Sequence, residues 1–268
     1  MAPGATGYRR YLGGIARRLA AAPRYRPDEE LSLVTADGVR LAGARLPGPL
    51  DAFATVVLVH GFVHSSRTPR IRAFARLLAA EVNVLVPDLR GHGRSGGACT
   101  LGLDEPLDVA AAVASAPPGL PVVTVGISLG GAAVLLHAGT HRGVAGVVAV
   151  SSPAWSGAWD TPATARVHRY VGSWAGRQVL ARALGTRVAG GLEGVPDSSA
   201  VVAAIAPAFT LVVHDPADHY FGEDHARTLF SWANEPKDLW LLPGTGHGTD
   251  LLGPAFAGRL LAELRTRL

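Results

Sequence analysis

The sequence predicts an α/β fold: a mostly parallel, eight-stranded sheet with helices on both faces and a small helical cap. Three observations carry this. Apolar runs of strand length alternate with helical patterns along most of the chain, joined by short connections. Several runs, such as "ATVVLVHG" at 54–61, are continuously apolar, which suits strands covered on both faces. Between Pro153 and Ala208 the rhythm breaks for about 55 residues with helical patterns and no convincing strand, too long for an ordinary connection.

Each element follows in turn. "ELSLVTADGVRLAGARL" (30–46) alternates apolar and polar residues on both sides of Asp37-Gly38 and reads as a hairpin. The third strand is the run at 54–61. After the loop "FVHSSRT", Pro69 opens a helix, "PRIRAFARLLAAEV", where a first-turn N–H has no intrahelical acceptor to lose. "NVLVPDL" is a strand, "RGHGRSGGACTLGL" a loop, and a helix from about Asp104 to Ala114 leads into the strand "PVVTVGIS". "LGGAAVLLHAGTH" is a helix and "GVAGVVAVSS" a strand. Beyond the cap, expected over 153–208, come the strands "AFTLVVHD" and "DLWLLPG" with the helix "EDHARTLFSWAN" between them. The amphipathic helix "DLLGPAFAGRLLAELRTRL" closes the chain.

Composition narrows the function classes. The 268 residues are 48% hydrophobic and 17% charged, enough for a sizeable core. The net charge is +4, but Lys237 is the only lysine among 25 basic residues, and the arginines are scattered over helix faces with no nucleic-acid motif beside them. No nucleic-acid partner is expected. The single cysteine, Cys99, excludes an internal disulfide framework and a multi-cysteine zinc site. Residues 1–30 form a basic extension in which Tyr8, Tyr11, Ile15 and Leu19 share one helical face. Such a face suits a membrane surface, but Gly13 and Gly14 weaken it, so docking on the protein's own body is expected over membrane contact. Without an apolar signal-like run or a span of bilayer length, a cytoplasmic residence is expected.

The chemistry concentrates at strand ends. "GISLG" (126–130) places Ser128 between glycines at a strand-to-helix turn, where small neighbours relieve a sharp, strained backbone and helix-start N–H groups face any oxyanion beside the serine. A serine hydroxyl needs a base that is itself oriented by a third group. Asp215 and Asp218 follow one later strand and His247 follows the next, all at carboxyl ends of strands, where sites in open parallel sheets gather. Other patterns carry less. Gly91-His92-Gly93-Arg94-Ser95-Gly96 matches a dinucleotide fingerprint, but no helix begins directly after it. His214, Asp215, Asp218, His219 and His225 follow no zinc spacing and read as a surface loop.

Five ordered motifs, "VLVHGF" (57–62), "VPDLRGHGRSGG" (86–97), "GISLGG" (126–131), "HDPADHYF" (214–221) and "GTGHG" (244–248), give the chain a plain resemblance to α/β-hydrolases of the lysophospholipase, esterase and acyl-peptidase type. The match covers roughly residues 31–268, less much of the cap. It implies a nucleophile at Ser128, a base at His247 and an acid at Asp218, with Asp215 as rival, and backbone oxyanion donors at Leu129 and Phe62. His60 and Asp88 belong to the fingerprint as loop-stabilising residues. It further implies a small-molecule ester or thioester as substrate, cleaved through an acyl-enzyme by a carboxylesterase or monoacylglycerol-lipase-like hydrolase. The alternative is a thioesterase that unloads an acyl carrier protein, met by cap arginines Arg166, Arg169, Arg177 and Arg182. A non-catalytic binding member ranks below both, because serine, acid and histidine are all present. The chemistry implied uses no metal and no organic cofactor. From the cap, Trp155, Trp159 and Trp174 are expected to line an acyl pocket.

Overall fold

The computed structural model describes residues 28–159, 161–190 and 194–268, so the basic helix expected around Tyr8–Leu19 lies outside the described residues. Strands β1 (Glu29–Val34) and β2 (Arg40–Leu46) form the expected hairpin, with Gly38 at φ +83° in its turn. Then follow β3 (Thr55–Val59), helix α1 (Pro69–Leu78), β4 (Asn83–Pro87), α2 (Glu105–Ala114), β5 (Val122–Ile127), α3 (Leu129–Thr140) and β6 (Gly146–Val150). The cap contributes α4 (Pro162–Val171), α5 (Trp174–Leu184), the short α6 (Ser198–Val201) and a 3₁₀ turn, Val202–Ile205. The chain ends with β7 (Phe209–His214), α7 (Glu223–Trp232), β8 (Lys237–Leu241), a 3₁₀ turn (Gly248–Leu251) and α8 (Pro254–Arg267).

All eight strands lie in one sheet, in the order β1-β2-β4-β3-β5-β6-β7-β8. Strand β2 runs antiparallel to both β1 and β4, and every other pairing is parallel. The period of two along the apolar runs sorts their side chains between two cores. Val56 and Leu58 of β3, Val148 and Val150 of β6, and Leu211 and Val213 of β7 face the α1/α8 side with Phe74, Phe256 and Leu260. Val57, Val59, Val147, Ala149 and Val212 face the α2/α3/α7 side with Leu135, Val109 and Leu229. Each such side chain taken out of water contributes about 1.5–3 kcal/mol, which is why uninterrupted apolar strands end up in the middle of the sheet. Helix α3 follows the same logic: every residue from Leu129 to Ala138 is buried, so it is apolar all round.

The cap is built differently. Thr161 and Thr164 form a reciprocal capping box at the start of α4, and the Ser173 hydroxyl accepts the Gly176 N–H (3.0 Å) at the start of α5. As expected, no strand forms over 153–208 among the described residues; an isolated parallel bridge joins Val188 to Cys99. The Arg187 N–H donates to Gly91 O and the Cys99 N–H to Arg187 O, both at 2.8 Å. Open backbone groups in the 90–103 loop find their partners there. That loop is otherwise filled by its own chain: Glu105 accepts from the Thr100 and Gly102 N–H groups and the Thr100 hydroxyl at 2.7–2.8 Å. Its G-x-G-x-x-G pattern therefore serves a turn closed by the chain itself. Among the described residues, no helix is long and apolar enough to cross a membrane.

Candidate active site

Parallel pairing brings the carboxyl ends of the central strands to one edge: Val59 pairs with Gly126, Ile127 with Val150, and Val150 with Val213. Each run beyond that edge delivers one component. Ser128 follows β5 directly, with φ +54° and ψ −116°, a conformation costing a non-glycine residue about 1–3 kcal/mol. The turn is tight because a Cβ at Gly126 would overlap the carbonyl oxygen of Gly130, and one at Gly130 would overlap those of Val59 and His60. Only glycine admits this approach of backbone to backbone. The Ser128 N–H donates to Val150 O (2.8 Å), which pins the turn to β6.

His247 and Asp218 meet that serine. The His247 Nδ1 lies 2.7 Å from Asp218 Oδ2, and its Nε2 lies 3.1 Å from Ser128 Oγ. An ionised carboxylate only accepts, so Nδ1 carries the proton, and in the neutral ring Nε2 is left as acceptor for the serine hydroxyl. Burial pushes the Asp218 carboxyl up, but the bond and charge of His247 and the amides of Tyr220 and Phe221 outweigh it and hold the carboxyl below its ordinary value. Asp215 goes elsewhere. Its two oxygens accept the N–H groups of Ala217 (2.9 Å) and Gly246 (2.6 Å), tying the loop after β7 to the turn that carries His247. The carboxylate on the histidine is thus Asp218. Ser151, with φ +48°, braces the other side of that turn by accepting the Gly248 N–H at 3.0 Å.

The 60–64 loop closes the site. A Cβ at Gly61 would stand 3.4 Å from the Ser128 Cβ, so the Phe62 peptide lies beside the nucleophile. Leu129 opens α3, where a first-turn N–H has no intrahelical acceptor. His60 is fully buried; its Nδ1–H donates to Gly61 O (2.8 Å) and its Nε2 accepts the Leu89 N–H (3.0 Å). Burial lowers its pKa to about 4, so it is neutral and joins two loops. Asp88 acts likewise by accepting the N–H groups of Ser66 (2.6 Å) and Arg94 (3.2 Å).

Above Ser128 and His247 lies a cavity of about 970 Å³, walled by cap and sheet-edge residues and mostly apolar. Trp155 and Trp159 line it. Trp155 stacks on His225 (centroids 3.8 Å apart) and Trp159 on His168 (5.0 Å). Trp174 corrects the expectation: it is 70% exposed and outside the wall. It opens α5 at the outer end of the helix pair, where the close approach to α4 is made by Gly176, whose Cβ would overlap Tyr170 O. The surface-loop reading of the His/Asp group also needs correction. His214, Asp215, Asp218 and His225 are buried, each held by protein partners, and only His219 is exposed. Among the described residues, no three potential metal ligands converge. Sequence reasoning missed Tyr220, whose ring lies 4.3 Å from that of His247, and the brace at Ser151. The aromatic pair Tyr220-Phe221, beginning two residues after the acid in "ADHYF", was the available signal for the first.

Comparison with known proteins agrees with this architecture. A family model described as "Alpha/beta hydrolase family" matches residues 56–267. The uncharacterized protein YfhR of Escherichia coli (strain K12) is 28% identical over 239 residues, spanning 83% of this chain and 76% of that protein. Among solved structures, Pyrococcus furiosus esterase Pf2001 superposes with a TM-score of 0.70 at 20% identity, over 90% of this chain and 92% of its own. A thermophilic esterase from Thermogutta terrifontis does so with 0.70 at 22% identity, over 89% and 99%. The esterase domain of a Rhodothermus marinus protein reaches 0.61 at 26% identity, over 90% and 99%.

Proposed function

The chain belongs to the alpha/beta hydrolase family, and from that premise we propose that it is a serine hydrolase cleaving carboxylic esters through an acyl-enzyme on Ser128. The observation that carries this reading is the unbroken relay Ser128–His247–Asp218, with heavy-atom distances of 3.1 and 2.7 Å, opening into an apolar cavity. The esterase domain similar at 26% identity supports the ester in particular.

The mechanism we propose uses these groups in turn. Ser128 Oγ attacks the ester carbonyl while His247 Nε2 takes its proton, and Asp218 stabilises the imidazolium through Nδ1–H. The carbonyl oxygen becomes an oxyanion held by the N–H groups of Leu129 and Phe62, each commonly worth about 3–4 kcal/mol to the transition state. On collapse, the C–O bond to the alcohol breaks and His247 returns its proton to the leaving oxygen. Water then attacks the acyl-enzyme, again deprotonated by His247, and the acid leaves with Ser128 restored. Ser128, held at positive φ, lines the cavity in which these steps would run.

The test is labelling with a fluorophosphonate, together with hydrolysis of p-nitrophenyl esters of rising chain length. Both are expected in the native protein and lost in Ser128→Ala. A folded native protein that neither labels nor hydrolyses would sink the reading.

A further inference from the structure

The wall of the cavity is mostly apolar, yet the Arg, Lys, Asp and Glu side chains in it have one sign among the described residues. Arg166 and Arg177 line it, and no Asp or Glu does so among the described residues. Arg177 stands on the inner stripe of α5, three and seven residues before Leu180 and Leu184, which line the same cavity. It is half-buried, and its Nη1 donates to Val171 O at the end of α4 at 2.9 Å. That bond orients the planar fork, and its carbonyl acceptor carries no formal charge. Among the described residues, neither Arg166 nor Arg177 lies within ion-pairing distance of a carboxylate.

A guanidinium set in an apolar wall loses part of its hydration and does not shed its proton. The ligand group that best restores those interactions is an anion, because a carboxylate or phosphate accepts the fork through two parallel bonds. Capping α4 accounts for one of the five N–H groups of Arg177 and leaves unexplained why the cation faces the cavity. We infer that the cavity selects amphiphilic esters bearing an anionic group, with Arg177 as the main anchor and Arg166 as a second positive charge. The substrate class rests on the ester-hydrolase reading above. Carboxylate and phosphate share this chemistry, on either the acyl or the alcohol side of the ester.

Two substrate arms separate these sources. One compares p-nitrophenyl hemiesters of straight-chain dicarboxylic acids with neutral p-nitrophenyl esters of equal chain length. The other compares monoacylglycerol phosphates with the matching monoacylglycerols. In at least one arm, kcat/KM for the anionic member is expected to exceed the neutral one about 10- to 100-fold, mainly through KM. That ratio collapses in Arg177→Gln and further in Arg166→Gln/Arg177→Gln, is intermediate in Arg177→Lys, and is retained in Arg182→Gln, which is exposed and outside the wall. If a thermal melt shows that Arg177→Gln is unfolded, Arg166→Gln alone carries the comparison. Equal rates in both arms, a preference for neutral esters, or a ratio untouched in the double variant would overturn the inference. A native protein that labels with fluorophosphonate but prefers neutral esters fails here alone. One that neither labels nor hydrolyses fails the reading beneath, and the anion preference is then read from binding of decanoate against decanamide. Equal binding overturns it.

Discussion

At the carboxyl edge of the sheet, Ser128, Asp218 and the turn carrying His247 are held by neighbouring strands and loops on every side, whereas the cap above them stands on two helices with most residues in contact with solvent. Helix α3 is buried from Leu129 to Ala138; α5 buries only Gly176 and Leu180. The edge fixes reacting atoms to within a hydrogen bond, and the cap encloses volume. On the proposed reading, chemistry and choice of substrate sit in regions of very different burial, and substitutions should separate them.

The largest effect is expected where two neighbouring carboxylates differ most. Asp218→Asn presents an amide to His247 Nδ1, disfavours the tautomer whose Nε2 accepts from Ser128, and should lower kcat about 10⁴-fold with folding retained. Asp215→Asn removes a charged acceptor from Gly246 and should cost about 2 kcal/mol of stability, while kcat/KM falls less than about tenfold. Chemical melts and p-nitrophenyl ester kinetics on both variants decide the matter. Equal losses of activity would show that rigidity of the turn, and not the charge on the histidine, sets the rate.

Glycines sharpen the same contrast on stability. Gly130→Ala drives a methyl into the carbonyls of Val59 and His60, neither of which is a flexible side chain, and should cost about 3 kcal/mol. In the cap, Gly185 ends α5 at φ +63° with open space around its Cβ position, so Gly185→Ala meets only the left-handed strain, about 1 kcal/mol. Urea melts of the two variants give both values.

How far the sequence could be read follows the same division. Strands β3 to β7 were legible because strands buried on both faces must be nearly continuously apolar, and Ser128 because two glycines mark a close backbone approach. Asp218 and Asp215 could not be separated by spacing alone: which of them reaches His247 depends on how the loop after β7 folds back on Gly246. Trp174 misled because an aromatic residue on a cap helix has no fixed direction in sequence, and the helix pair closes through Gly176. Buried histidines such as His225 read as surface residues because their partners are backbone groups from distant elements, here the Ala154 N–H.

Other buried histidines give the fold a pH dependence. Burial lowers the pKa of His60 to about 4, His92 to about 3 and His137 to about 4. Between those values and 6.5 the unfolded chain binds protons that the folded one refuses, so stability is present above pH 6.5 and lost as pH falls through the window. Each group contributes a slope of at most about 1.4 kcal/mol per pH unit. Asp108 opposes them, since burial raises its pKa to about 6 against the bonds from Arg90, and the folded state gains a proton there. His64 and His214 shift the same way as these three, and the lowered carboxyls of Asp37, Asp215 and Asp218 lose stability at still lower pH, so against Asp108 the balance is a net loss toward acid. Denaturant melts at pH 6.5, 5.5 and 4.5 should show it, and His137→Leu should flatten the slope. A slope unchanged in that variant would assign the acid sensitivity elsewhere.

The smallest expected effect lies within the cap itself, between two tryptophans. Trp159 is half-buried, stacked on His168 and part of the cavity wall. Trp159→Ala opens the wall to water and should reduce kcat/KM for the longest-chain ester accepted about fivefold, with acetate esters little changed, because only a long chain reaches the lost surface. Trp174 is 70% exposed and covers nothing in the cavity, so Trp174→Ala should stay within about twofold on every chain length. A chain-length profile for the two variants in one assay reads both. A selective loss in Trp174→Ala would place substrate contacts on the outer face of α5, and the division between an enclosing inner stripe and a solvated outer face would have to be redrawn.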